Sequence, residues 1–453
     1  MGKELFGTDG IRGVAGQYPL DAATVYALGV ALGDDVRRKG SPEAGAEVLI
    51  GADTRESGPW IAETLARGLG SRGVQVRYAG VITTPGVAYL TRSGDFVAGV
   101  MISASHNHYR DNGLKVFGHS GYKLLDTEED AIEQEIFAFE EQGVAPEQLV
   151  EPAALPVDES LDRQYLEYLV STVSVHFDGL RIAMDCGNGA AYRLGPELFR
   201  RLGAEVIALN ADPNGRNINL NCGALHVEGL REAVLAERAD FGVAFDGDAD
   251  RAMFIARSGK LVDGDSVLLA TARALKAAGR LTGDTVVSTV MSNLGLEKAL
   301  EREGIRMLRT QVGDKYVLEE MVRTGAVLGG EQSGHVIFRE CATTGDGLLT
   351  ALRLFEIARR CGVGLDELTS NWQVYPQKLV NIPVREKKPF GDIPAVAREI
   401  HSLEQRMRGS GRVLVRYSGT ELLARVMVEA AEPEHVETGT ARIADAIRSA
   451  IGA

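Results

Sequence analysis

The stretch "FGVAFDGDADR", Phe241–Arg251, carries the architecture of the chain in eleven residues. Its first half is apolar and reads as a buried strand. It then breaks into Asp246, Asp248 and Asp250 at alternating positions. Two other apolar runs end in the same manner. "FVAGVMIS" (Phe96–Ser103) leads into "SASHNH", with Ser105, His106 and His108. "AVLGGEQ" (Ala326–Gln332) leads into "EQSGH", with Glu331, Ser333 and His335. In open α/β sheets, ligands gather where strands end.

Upstream of each run the order repeats as strand, helix, strand, helix, strand. The first module has strands at Glu47–Ala52 and Val74–Gly80, with helices over Pro59–Gly70 and Pro85–Gly94. The second has strands at Leu180–Gly187 and Glu205–Asn210, the third at Thr285–Val290 and Ile305–Thr310. Strands alternating with helices of this length imply layered α/β modules with crossover connections. "GVAPEQLVEPAALPVDES" (Gly143–Ser160), with three prolines and no periodicity, reads as a linker. A second boundary falls near Cys361–Trp372. The remainder is a smaller α+β module. The expected domains are 1–155, 156–257, 258–370 and 371–453.

Composition narrows the function. The 453 residues are too many for a single core. A net charge of −14 argues against nucleic acid or an anionic membrane surface as partner. No stretch is long and apolar enough to span a membrane, and the N-terminal stretch has no apolar signal region. Four scattered cysteines form no C-x-x-C pair, which points to reduced thiols in a cytoplasmic protein.

The three aspartates repel one another unless a cation lies between them, and hard oxygen ligands on a short loop suit Mg²⁺. An EF-hand is excluded, because its sixth and twelfth positions are Arg251 and Arg257. In the last module, "VRYSGTELLAR" sets Arg416, Ser418, Gly419, Thr420 and Arg425 between two apolar runs. It reads as a phosphate cradle of backbone N–H, hydroxyl and guanidinium donors, or as a plain hairpin turn with surface arginines. Glu331, Ser333 and His335 can read sugar hydroxyls or form a solvated loop. "GLGSRG" (Gly68–Gly73) fits a dinucleotide fingerprint in letters only. It follows a helix and precedes a strand, so its glycines read as a helix cap and turn. Ser105 lacks a G-x-S-x-G elbow. His106 is adjacent to it, and neighbours on an extended loop point apart, which makes His106 a poor base for Ser105. Phosphoryl transfer to and from Ser105, beside a Mg²⁺ loop and a phosphate cradle, fits these parts together.

These residues resemble the α-D-phosphohexomutases. The matching segments are "FGTDGIRG" (Phe6–Gly13), "ISASHN" (Ile102–Asn107), "DNGLKVF" (Asp111–Phe117), "FDGDADR" (Phe245–Arg251), "GEQSGH" (Gly330–His335) and "RYSGTE" (Arg416–Glu421). "NINLNCGALH" (Asn217–His226) and "TTGDGLL" (Thr343–Leu349) resemble the glucosamine-phosphate branch. The resemblance implies three similar mixed-sheet α/β modules and a smaller C-terminal α+β domain around a central cleft. It implies interconversion of glucosamine 6-phosphate and glucosamine 1-phosphate through a phosphoserine and a bound glucosamine 1,6-bisphosphate, for amino-sugar and cell-wall precursor synthesis. Ser105 would carry the phosphoryl group and join Asp246, Asp248 and Asp250 around one Mg²⁺. Arg12, His106, Lys115 and Arg251 match active-site positions. Glu331, Ser333 and His335 would meet the sugar, and Arg416, Ser418, Gly419, Thr420 and Arg425 its phosphate. The family leaves open a homodimer, and a kinase, self-phosphorylation or a bisphosphate as the source of the first phosphate. A hinge is expected near residue 370. One departure is His108, where the family usually has Pro. It adds a titratable group and is expected to loosen the loop. Glucose or mannose phosphates as substrates remain alternatives, as does an aspartyl phosphatase using Asp246.

Overall fold

The computed structural model describes residues 4–7, 9–39, 46–141, 143, 154–418 and 422–453. Most of the proline-rich linker, and Gly419 and Thr420 of the cradle, lie outside these residues. The chain divides into two compact units. One is Met1–Met291 with Met307–Ser370, and the other is Ser292–Arg306 with Asn371–Ala453.

The first unit holds three sheets built on one plan. In the first, Gln75–Val81, Glu47–Ala52 and Phe96–Ile102 run parallel in that spatial order, and Asp111–Gly118 returns antiparallel against Phe96–Ile102. Gly10–Val14 and Phe6–Gly7 extend this edge. The second sheet repeats the plan with Glu205–Leu209, Arg181–Asp185, Phe241–Phe245 and the returning Ala252–Ala256, plus Leu261–Val262. The third repeats it with Arg306–Thr310, Thr285–Thr289, Leu328–Gly330 and the returning Val336–Phe338. The returning strand explains the polar loops. Each joins the last parallel strand to its antiparallel neighbour, so each is a hairpin turn at the carboxyl end of a buried strand.

Packing follows the sequence pattern. The central strands are apolar on both faces because helices cover both, and Val48, Ile50, Val100 and Ile102 are fully buried. Helix Ala22–Arg38 begins at Asp21, whose carboxylate accepts from Ala23 and Thr24 N–H. It packs on helix Gly58–Gly70. A Cβ on Gly68 would lie 2.4 Å from the Tyr26 carbonyl oxygen. Gly68 is therefore a close-approach residue inside the helix and not part of its cap, which corrects the sequence expectation. Gly73, at φ 76°, does make the following turn.

The second unit is an antiparallel sheet in the order Gln377–Pro383, Leu423–Ala430, Gly411–Tyr417. With helices Pro394–Met407 and Pro433–Ile451 it encloses Ile382, Leu403, Val426, Val428, Ile443 and Ile447. Helix Leu294–Arg302 belongs to the third module in chain order, yet its contacts group it here. Buried Glu429 accepts from Leu294 N–H at 3.1 Å and from Arg412 Nε at 2.5 Å. Arg412 Nη2 also donates to the Ser292 carbonyl. Among the described residues no helix is long and apolar enough to cross a membrane.

Candidate active site

The three hairpin turns supply the chemistry. The turn after Phe241–Phe245 winds Asp246–Arg251 tightly, with Ala249 in the left-handed region at φ 55°. The Arg251 amide donates to Asp246 Oδ1 at 3.2 Å. The result is a group of three buried carboxylates with oxygens within 4.8 Å of one another. Asp248 Oδ2 accepts from Lys115 Nζ at 2.9 Å and from the Thr84 hydroxyl. Oδ1 of Asp248 and of Asp250 are buried without a hydrogen bond among the described residues. Buried carboxylate oxygens left this way suit a hard divalent cation. Burial, with Asp250 and Asp248 beside it, pushes the Asp246 carboxyl well above the usual carboxylate range. A bound cation would reverse that push.

Ser105 lies 2% exposed against this turn, at φ 51°. A left-handed serine costs about 1–2 kcal/mol, so the surroundings must hold it there. Its hydroxyl donates to Asp246 Oδ2 at 2.5 Å and lies 3.3 Å from His106 Nδ1. The sequence argument that adjacent residues point apart fails here, because the left-handed turn folds the two side chains together. Burial, with the Arg251 and Arg12 guanidinia nearby, lowers His106 to about 4, so the ring is neutral at physiological pH. Both Asp246 oxygens accept a hydrogen bond, one from the Ser105 hydroxyl and one from the Arg251 amide.

The cations form a chain across the same face. Lys115, 1% exposed, reaches Asp248 at 2.9 Å, Asp9 at 3.1 Å and Asp250 at 3.4 Å. Burial alone would lower its pKa, but these carboxylates outweigh it and hold the ammonium charged. Lys123 Nζ bridges Asp9 and Asp314 at 2.6 Å each, and Arg12 pairs with Asp9. Among the described residues, Arg251 and Arg12 each leave a buried Nε without a hydrogen bond. In the third turn, Glu331 Oε1 accepts from the Gly313 amide at 3.1 Å, and Ser333 Oγ is buried without a hydrogen bond among the described residues. His335 Nε2 accepts the Gly345 amide at 2.9 Å. That bond places the ring proton on Nδ1, 3.6 Å from Asp250 Oδ1. Burial opposes protonation of this ring and the surrounding carboxylates outweigh it, raising its pKa. The Gly345 amide holds the neutral form in this arrangement.

Ser105, His106, Lys115, Arg12, Arg251, Asp246, Asp248, Asp250 and His335 therefore lie on one connected polar network within the first unit. Glu331 and Ser333 sit on the turn that ends at His335. The sequence reading missed Asp9, Lys123 and Asp314. Asp9 stands inside the quoted "FGTDGIRG", but nothing near it in sequence shows the two lysines it faces. It also missed the segment after Glu47–Ala52. Buried Arg55 pairs with Asp53 at 2.8 Å and donates to the carbonyls of Ser105, Asn107 and His108 at 2.9, 3.0 and 2.6 Å. The loop at His108 is tied down through its backbone. The His108 carbonyl also accepts the Asp111 amide, and the His108 ring lies against Tyr109.

In the second unit, Arg416 and Arg425 stand directly opposite each other on adjacent antiparallel strands. Burial and the neighbouring Arg425 lower the pKa of Arg416. Like charges paired this way are unfavourable unless an anion shares them. Ser418 N–H donates to the Leu423 carbonyl at 2.8 Å, and the Ser418 carbonyl accepts from Lys387 at 2.7 Å. Lys387 is a further cation that the sequence reading did not single out.

Comparison with known proteins gives the family. Residues 3–143, 163–259 and 263–375 match domains I, II and III of the phosphoglucomutase/phosphomannomutase alpha/beta/alpha family, and 379–446 match its C-terminal domain. The chain is 68% identical over 452 residues to the phosphoglucosamine mutase of Solibacter usitatus, covering 100% of both chains. It is 53% identical over 455 residues to that of Koribacter versatilis, covering 99% of this chain and 98% of the other. Among solved structures, a phosphoglucomutase/phosphomannomutase family protein from Burkholderia thailandensis shares the fold. Its TM-score is 0.78 at 24% identity, over 98% of this chain and 97% of that one. The chain belongs to the phosphoglucomutase/phosphomannomutase family, and is an enzyme of that phosphohexomutase class.

Proposed function

We infer that the chain interconverts glucosamine 6-phosphate and glucosamine 1-phosphate, with Ser105 as the phosphoryl carrier. The observation that carries the reading is the Ser105 hydroxyl, bonded at 2.5 Å to a buried cluster of three aspartates. The choice of amino sugar rests on the likeness to phosphoglucosamine mutases.

The Oγ–phosphorus bond of phosphorylated Ser105 breaks as the free sugar hydroxyl forms its own bond to phosphorus, and the proton that hydroxyl gives up is balanced by the one Oγ takes up on leaving. The resulting glucosamine 1,6-bisphosphate turns within the site, and its other phosphate returns to Ser105. On the return Oγ must lose a proton. Asp246 is committed to the carboxylate cluster, which leaves neutral His106 Nδ1, 3.3 Å away, as the base. Asp246, Asp248 and Asp250 would hold Mg²⁺, which when bound neutralises charge on the transferring group. Lys115 and Arg251 stay charged and add fixed positive potential. Glu331 and Ser333 offer polar groups to the sugar hydroxyls, while both His335 nitrogens face protein groups, the Gly345 amide and Asp250. In the second unit, Arg416, Ser418 and Arg425, with Gly419 and Thr420 by their place in the motif, would bind a phosphate. A sugar-phosphate substrate and four free cysteines suit the cytoplasm.

The test is phosphorus NMR with Mg²⁺ and a trace of sugar bisphosphate. Glucosamine, glucose and mannose 6-phosphates go in parallel tubes. A 1-phosphate signal growing fastest with glucosamine 6-phosphate is expected, together with its abolition in Ser105→Ala. Full turnover in that variant would sink the scheme, and a faster glucose or mannose tube would change the sugar.

A further inference from the structure

We propose that Arg55 and Asn219 are positioning residues that lock Ser105 in its transfer geometry, an inference that rests on Ser105 being the phosphoryl carrier. The Ser105 carbonyl accepts two hydrogen bonds from opposite modules. Arg55 Nη2, on the segment after Glu47–Ala52, donates at 2.9 Å, and Asn219 Nδ2 donates at 3.0 Å. The Asn107 carbonyl is shared by the same pair, at 3.0 Å and 3.4 Å. Arg55 adds the His108 carbonyl at 2.6 Å, so one guanidinium spans the serine loop.

Both donors are themselves anchored. Arg55 is fully buried and paired with Asp53, which also accepts from the Ser103 hydroxyl at 2.6 Å. The Ser103 hydroxyl in turn accepts the Ser105 amide at 2.9 Å. Both sides of the Ser105 residue are thus held from one Asp53–Arg55 pair. The Asn219 amide donates to the Gly187 carbonyl at 2.8 Å, which fixes its loop to the second sheet. The neighbouring loops are joined as well, by Glu56 N–H to the Gly215 carbonyl at 3.0 Å and by Arg216 with Glu56.

The role is geometric. Asp53 neutralises the Arg55 charge, so what the site receives from Arg55 is a planar fork of fixed donors. Without the two bonds to its carbonyl, the Ser105 peptide is free to leave the left-handed region, and its hydroxyl swings away from Asp246. Asn219 falls in "NINLNCGALH", a segment to which the mechanism assigns no step.

The experiment uses full-length Asn219→Ala and Arg55→Lys. Lysine keeps the charge but cannot make the fork. Protein phosphorylated on Ser105, quantified by mass spectrometry, is mixed with glucosamine 6-phosphate and Mg²⁺, and transfer is followed in a single turnover. The expected result is roughly tenfold slower transfer at saturating substrate, with half-saturation within twofold of the parent. Amide exchange of the peptide over residues 103–108 should quicken in both variants. Transfer and exchange both within twofold of the parent in folded Asn219→Ala would overturn the proposal, whatever Arg55→Lys does. If the parent itself transfers nothing, the reading of Ser105 falls. Exchange then decides the clamp alone, and an unchanged rate overturns it.

Discussion

Asp346 shows how a single buried carboxylate can tie stability to pH. It caps helix Gly347–Cys361 by accepting the Leu349 amide at 3.0 Å, and it accepts the Tyr165 hydroxyl at 2.7 Å. Burial outweighs these bonds and raises its pKa from 3.8 to about 6. A carboxyl whose folded pKa is raised stabilises most below its unfolded pKa, and that contribution is lost as pH rises through the folded value. Between pH 4 and 6 the native protein should therefore lose about 3 kcal/mol from this group, and nothing further above it. Asn at this position still caps the helix and does not titrate. Urea midpoints of Asp346→Asn against the parent should thus move in favour of the variant between pH 4.5 and 7.5. A difference that stays constant with pH would show that Asp346 ionises freely in the folded state.

At the scale of elements, the site depends on how closely two hairpin turns approach. A Cβ on Gly247 would lie 2.5 Å from the Ser105 carbonyl oxygen, too near for either turn to stay in place. Gly247→Ala should fold but turn over roughly 100-fold more slowly, since about 1 Å of misplacement at a transfer site has that effect. Full activity would show that the turns yield without harm. Magnesium should raise the melting midpoint of the parent and not that of Asp250→Asn, as a ligand that binds only the folded form must. The repeated order of elements was readable in the sequence because each last parallel strand stops abruptly in polar residues. Helix Ala22–Arg38 was not read. It is buried along most of its length, so it lacks a polar stripe to mark its period. Gly68 was misread because its partner, the Tyr26 carbonyl, lies far away in the chain. The aspartate, serine and arginine motifs could be read from local spacing. Arg55, Lys123 and Asp314 could not, since their meaning comes only from partners on other loops.

Over the whole molecule, charge works against the substrate. With 49 basic and 63 acidic residues the chain carries −14, and a sugar phosphate dianion meets net repulsion at a distance. Screening confines that repulsion to about 8 Å at physiological salt, so capture falls to local cations. In the second unit the cations proposed for this role are Arg416 and Arg425, opposite each other on adjacent strands. An anion shared between them would offset their mutual repulsion. Charge-assisted hydrogen bonds of about 1.5–3 kcal/mol predict that Arg425→Ala raises KM by about 10- to 100-fold. The melting midpoint without phosphate reports whether Arg425 also supports the sheet. The rise in midpoint on adding inorganic phosphate should shrink. A lower midpoint with an unchanged KM would mean that Arg425 holds the sheet together and takes no part in binding phosphate.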